Sequence, residues 1–188
     1  MNMPYVELHC HSGFSFLDGA SHPKELVARA VEIGYPALAL TDHNGLYGSM
    51  EFAQAARRAN LQPITGAEIT LRGCFPGFEE PEGGHHVTLL AETPQGYANL
   101  CRMLTETHMG SERGDARLPL PSLLELSEGL ILLTGCAKSP VAAALGSSVA
   151  EAEQMTRQLV DAFGPGSVFM ELQDNAVKGD TGRNKGLA

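Results

Sequence analysis

Hydrophobic and polar positions along this chain switch repeatedly between strand-like and helix-like spacing. Residues 5–8 predict a short strand, and a glycine-punctuated loop covers 11–19. Ser21 is placed to cap a helix that has Pro23 in its first turn and Gly34 at its end. Within that helix Leu26, Ala30 and Ile33 recur at helical spacing and form one apolar face. The apolar run 36–41 predicts a buried strand leading into Asp42-His43. Met50, Ala53 and Ala56 mark a helix ending near Asn60, and residues 63–71 read as extended, interrupted by Gly66 and carrying Glu68. Residues 86–91 predict another strand, after which Pro94 opens a helix reaching about His108. The stretch 110–121, rich in glycine, proline and charge, predicts a mobile loop. A short helix, a strand at 130–134 ending in Gly135-Cys136, helices near 140–145 and 150–163, and a strand at 168–172 complete the pattern.

Strands separated by helical segments imply an α/β fold with parallel pairing and right-handed crossovers. The candidates are an open doubly wound sheet and a closed barrel. No G-x-G-x-x-G follows the first strand, so the signature of a dinucleotide-binding fold is missing. Polar residues with metal-ligand chemistry follow several strands instead, and functional groups at strand ends favour the barrel. Residues 178–183 read as a polar loop and 184–188 as the opening of another helix. With about six strands, the expectation is a single domain over 1–188, a barrel truncated before its last strand.

With 188 residues, 43% apolar and 19% charged, the chain has the composition of a globular domain and neither a disordered nor a collagenous one. No apolar run approaches the roughly 20 residues that span a bilayer, and the N-terminus lacks the basic start and apolar stretch of a signal peptide. The expected location is the cytoplasm, with no membrane partner. A formal charge of −9 is the wrong sign for gripping a phosphate backbone, and the densest basic spot is the pair Arg57-Arg58. A bound divalent metal would offset part of that acidic excess. None of the four cysteines forms a C-x-x-C pair, so each is by default a small buried hydrophobe.

The strongest local feature is His9-Cys-His11. Side chains two apart on a strand share a face, so both imidazoles can converge on one ion. Asp18 follows beyond a loop containing Phe14 and Phe16, Asp42-His43 closes the second strand, and Glu68 sits in the third. Imidazole with carboxylate suits zinc, manganese or iron, and a carboxylate can bridge two metals. Each piece also has a bland reading: an H-x-H pair on a surface, Thr-Asp-His as a helix cap, Glu68 as a solvated edge residue. Their joint occurrence at successive strand ends favours the metal.

His9-x-His11-Ser12, Asp18-Gly-Ala, Thr41-Asp-His43-Asn-Gly-Leu-Tyr-Gly and Ile64-Thr-Gly-Ala-Glu68 resemble the polymerase and histidinol phosphatase (PHP) domain. More closely, they are similar to the N-terminus of bacterial C-family DNA polymerases. The stretch from Phe14 to Leu26 looks most like their error-prone, translesion branch, and the likeness continues through 132–136 and 170–173. The resemblance implies a PHP-type (β/α)7 barrel with up to three divalent metal ions, zinc or manganese. By the same resemblance, His9 and His11 would hold the first metal, with Glu68 bridging to a second. His86 and Cys136 would complete the second site, and Asp18 and His43 would belong to the third. The family's last ligands, an Asp-x-His pair on a later strand, have no counterpart in this sequence. His86 is preferred over His85 because the family places its histidine directly before the apolar run. Cys136 stands where the phosphatase relatives have histidine: a thiolate ligates zinc well, whereas a lone cysteine is ordinarily a neutral buried thiol. Asp42 is read as a partner that orients a histidine. Glu171 is expected near the same face, and Arg or Lys residues at the mouth would hold phosphate, with none singled out.

The resemblance implies the PHP segment of an error-prone DNA polymerase, a nucleotidyltransferase of damage-tolerant replication and repair. Its partners would be DNA, through the parent polymerase, and other replication or repair proteins. The segment itself would be at most a metal-dependent phosphoesterase. In it a metal-activated hydroxide would hydrolyse phosphodiesters, as in a 3′-5′ exonuclease. The alternatives are a stand-alone phosphoesterase of histidinol-phosphatase type and a structural metal-binding module.

Overall fold

The computed structural model describes residues 5–75, 81–112 and 114–188. Its strands are β1 (Ala37–Leu40), β2 (Gln62–Arg72), β3 (His85–Ala91), β4 (Leu118–Pro119), β5 (Leu130–Leu133) and β6 (Val168–Phe169). Between and after them lie α1 (Pro23–Glu32), α2 (Ser49–Arg58), α3 (Pro94–Met109), α4 (Leu120–Glu125), α5 (Pro140–Ser147), α6 (Val149–Phe163) and α7 (Asp180–Leu187). The sheet runs β1-β2-β3-β5-β6, with β4 against the end of β2.

Local sequence explains the element ends. Pro23 opens α1 at its first position, and the Glu25 carboxylate accepts from the His22 backbone N–H at 2.7 Å. The cap is thus His22 and not Ser21. Gly34, at φ +81°, turns the chain out of the helix. Val27 and Ala30 of α1 then pack with Phe52 and Ala56 of α2 against Leu38 and Leu40 of β1. Phe52 is fully buried there, and its replacement by alanine would cost about 3–5 kcal/mol.

The central strands bury both faces, and their period of two divides the chemistry. On β2, Ala67, Ile69 and Leu71 join Val87 and Leu89 of β3 in the large core under α3 to α6. The alternate positions, Glu68 of β2 and Thr88 and His86 of β3, face the other way. Register places Glu68 opposite Thr88 and Thr70 opposite His86. On this inner side a cavity of about 850 Å³ is lined by residues 5–9, by β2, β3 and β5, and by 169–175. The sheet curls until its two ends meet, where His9 Nδ1 lies 2.7 Å from Glu171 Oε1.

The α/β class is as expected, but the all-parallel sheet is corrected. β1-β2, β2-β4 and β5-β6 are parallel, whereas β2-β3 and β3-β5 are antiparallel. The described residues between β2 and β3 form turns and no helix, and a return without a crossover can only be antiparallel. Residues 5–8 form no regular strand: Glu7 makes a single bridge to Leu38, although Glu7 O and Cys10 O accept from the N–H groups of Ala39 and Thr41. The strand expected over 168–172 keeps its ladder only at Val168–Phe169. The loop expected over 110–121 contains β4 and the start of α4, and α7 begins at Asp180, inside the expected polar loop. No helix among the described residues is long and apolar enough to cross a membrane.

Candidate metal centre

Glu68 occupies the middle of the site. It is 2% exposed and projects from β2 into a group of four imidazoles. His9 Nε2 is 2.8 Å and His11 Nε2 2.9 Å from Glu68 Oε2, with His43 Nε2 at 3.8 Å. His86 Nδ1 is in close contact with Glu68 Oε1. The rings follow one another around the carboxylate, with centroids 5.1 Å apart for His9–His11, 4.5 Å for His11–His43 and 5.2 Å for His43–His86. Asp18 closes the outer side: its Oδ2 touches His11 Nδ1 and lies 3.1 Å from His43 Nε2.

Each side chain has a local reason for its place. His9 and His11 share a face of the segment that runs beside β1. His43 continues β1 and bridges in parallel to Glu68, whose carbonyl accepts from Asn44 N at 2.8 Å. The loop bearing His11 and Asp18 folds tightly on itself, with Gly13 N to Ser21 O at 2.8 Å and Gly19 N to Ser15 O at 2.9 Å. A Cβ on Gly19 would fall 2.0 Å from Ser12 O, so only glycine allows that closure.

Asp42 holds the loop from beneath. Its carboxylate accepts from Ser12 N at 2.7 Å, Ser12 Oγ at 2.8 Å and Ser15 Oγ at 2.7 Å, and Ser15 Oγ in turn accepts from His43 N at 3.1 Å. Asp42 therefore acts on the histidines through the backbone and not through a ring. It orients the backbone on which His11 and His43 stand, and no hydrogen bond joins it to an imidazole among the described residues.

The other rings are oriented directly. His9 Nδ1 faces Glu171, and Gln173 Nε2 donates to Glu171 Oε1 at 2.7 Å. Gln173 is held through its carbonyl, which accepts from Arg183 and Asn184 of α7. His86 Nε2 donates to Gly83 O at 3.1 Å, leaving Nδ1 toward Glu68. Its neighbour His85 turns away to the ring of Phe75, so His86 is the one that faces the cavity. Cys136 lines the same cavity, and its Sγ accepts from Lys138 N at 3.4 Å. It follows Gly135, at φ +88°, where a Cβ would lie 2.6 Å from His86 O.

Electrostatics follows this crowding. Burial pushes the Glu68 carboxyl up, but the close imidazoles of His11, His86 and His9 outweigh it and hold it far below the usual carboxylate range. Burial works against charge on His9 too, yet Glu171 and Glu68 raise it to about 10. At His86 burial is outweighed by Cys136 and Glu68, and the ring titrates at about 9. His11 is raised despite its burial by Glu68 and Asp18. His43 is lowered, by burial and by the nearby His11 and His86.

Three clusters have donor atoms within 4.8 Å of one another: His9-His11-Glu68, His11-Asp18-His43 and His43-Glu68-His86. All seven expected residues line one cavity of about 490 Å³, while Cys136 belongs to none of these three clusters. The donor set fits a divalent cation. Glu68 Oε1 and His11 Nε2 are buried without a hydrogen bond, although each sits beside an oppositely polar atom. Nitrogen and oxygen donors packed around a buried carboxylate are what zinc or manganese takes. Sequence reasoning did not assign Gln173, Thr88 or Lys138. Gln173 was legible as the i+2 partner of Glu171, whereas nothing in the pattern singled out Lys138.

Residues 7–175 match the family model described as the PHP domain. An error-prone DNA polymerase from Cutibacterium acnes is 42% identical over 99% of this chain, and one from Symbiobacterium thermophilum is 42% identical over 98%. The chain spans only 17% and 18% of the length of those two relatives. Among solved structures, a two-domain protein from Bacteroides vulgatus containing a predicted PHP-like metal-dependent phosphoesterase is 17% identical. Its TM-score is 0.44, with 76% of this chain and 40% of that one covered. On the match over 7–175, this chain belongs to the PHP domain family.

Proposed function

We propose that this chain is the PHP segment of an error-prone DNA polymerase. In this reading its inner cavity holds zinc or manganese ions, up to three, and hydrolyses a phosphodiester at the end of a DNA strand. The observation that carries the hydrolytic reading is the burial of Glu68 among four imidazoles, with Asp18 closing the group. Identity of 42% to error-prone polymerases over nearly the whole chain supports the parent. The parent's damage-tolerant DNA synthesis, with its replication and repair partners in the cytoplasm, would be carried outside these residues.

His9, His11 and Glu68 would hold one ion, Glu68 with His86 and Cys136 a second, and Asp18 with His43 a third. Divalent cations there would activate water and offset the charge gained by the phosphoryl group. The chain's own groups set the geometry. Glu171 keeps the His9 ring turned toward Glu68, and Gly83 O does the same for His86. Lys138 is the one lysine or arginine on the wall of this cavity among the described residues, and it would meet a phosphoryl oxygen at the rim.

The test is His9→Ala in the 188-residue chain, read by bound metal and by release of 3′ nucleotides from end-labelled single-stranded DNA. Metal and hydrolysis should fall together. Hydrolysis undiminished by the substitution would overturn the reading. Metal bound by the unsubstituted chain with no hydrolysis would leave the centre a structural one.

A further inference from the structure

Beside the metal centre lies a second cavity, of about 700 Å³, and His43 forms part of both walls. Phe14, Phe16 and Tyr47 line it. The chain has no tryptophan, four tyrosines and seven phenylalanines, so three rings on one rim are a local concentration. They come from the two loops that carry His11, Asp18 and His43. Phe14 and Tyr47 have ring centroids 6.5 Å apart at an interplanar angle of 38°, while Phe16 is 86% exposed and Tyr47 63%.

These rings are not there for the core. Next to Phe16, Leu17 is fully exposed at φ +68°, a left-handed conformation that a bulky residue rarely adopts. The loop is otherwise rigid, bonded within itself and to Asp42. A rigid frame that holds apolar rings outward at a backbone cost reads as a recognition surface.

Resting on the hydrolytic reading above, we propose that this aromatic cleft stacks the unpaired terminal base of the DNA strand whose phosphodiester lies at the metal centre. Stacking on flat rings tolerates any base. It also suits a chain of net charge −9, because the grip does not depend on a run of phosphates. A cation is nonetheless at hand: Arg117, ion-paired to Asp115 at 2.7 Å, lies on the same cleft.

The experiment uses the full chain and two 5′-fluorescein single-stranded oligonucleotides, one ending in a 3′ adenine and the other in an abasic residue. Anisotropy is measured with chelator present, so the readout requires neither metal nor hydrolysis. The base-bearing strand should bind about tenfold more tightly. Phe16→Ala combined with Tyr47→Ala should abolish that preference, and Phe16→Trp should keep it. The two exposed rings contribute little to the core, and circular dichroism checks that the variants fold. Equal binding of the two strands, or a preference that survives loss of both rings, would overturn the proposal and turn the rings toward a protein surface instead. A preference without hydrolysis in manganese would retain the stacking cleft and defeat the hydrolytic reading alone.

Discussion

The two arcs of the chain that meet at the centre are built differently. The N-terminal arc, from His9 to Glu68, brings its polar groups on segments tied down several times over: Asp42 alone accepts three hydrogen bonds from Ser12 and Ser15. The C-terminal arc reaches the same point with Cys136 and Lys138 from the loop after β5, and with Glu171 and Gln173 from the loop after the two-residue β6. Glu171 keeps its place through Thr134 Oγ1, which accepts from its backbone N–H at 3.0 Å, and through Gln173. Three hydrogen bonds on one fully buried carboxylate in the first arc, against loops after short strands in the second, imply that the first makes the centre and the second adjusts it.

The largest effect should come from Glu68→Gln. It removes the charge that several imidazoles share, and breaking such a buried arrangement typically costs about 3–5 kcal/mol. The melting temperature of the metal-free protein should fall by about 10 °C, with metal binding lost. Stoichiometric metal in this variant would break the comparison outright. Asp42→Ala should come next, although it touches no ring. It leaves the buried Ser12 N–H without its acceptor, at about 1–3 kcal/mol, and should weaken metal binding by about 10- to 100-fold. Calorimetry alongside a metal titration would check both.

Acidity gives a third test. His9, at about 10, and His86, at about 9, lie above their usual 6.5. The pairing of His9 with Glu171 and Glu68, and of His86 with Cys136 and Glu68, therefore stabilises the metal-free protein fully below pH 6.5 and fades as pH rises through 9 to 10. Glu68 is shifted down, so its share is present above its usual 4.5 and is lost on acidification through its lower folded value. A metal must displace those imidazolium protons. Its apparent affinity should fall about tenfold per pH unit of acidification for each proton released, and a binding enthalpy that is the same in buffers of different ionisation enthalpy would contradict this.

Substitutions in the C-terminal arc should do less. Glu171→Gln should weaken metal binding about tenfold and change the melting temperature little. Lys138→Ala should leave metal content unaltered and raise the DNA concentration needed for half-maximal hydrolysis a few-fold, as expected of one partly exposed charge. If either variant unfolded the protein, the division between the arcs would be wrong.

The same division decides what could be read from the sequence. His9 and His11 are two apart and His43 and Glu68 end or occupy apolar runs, so periodicity alone brings them to one side. Choosing His86 over His85 required the resemblance, although the alternation of β3 agrees with it. The partners of Asp42 were illegible, because Ser12 and Ser15 read as ordinary loop serines until the loop closes on Gly19. The antiparallel pairing of β2 with β3 escapes the alternation of strands and helices, because crossover topology needs a helix between strands and no helical pattern separates these two. Lys138 lies in a loop after β5, where there is too little period to count.

His9 and Glu171 are 162 residues apart in sequence, and their contact joins the ends of the sheet. Contacts of such long range form late, because the intervening chain must be ordered before they contribute stability. On a ribosome, the His9 side of the centre would emerge long before its partner, leaving the N-terminal imidazoles exposed and incompletely oriented. Full coordination would then mark the completion of folding, and metal uptake during synthesis would report when the last part of the sheet has docked.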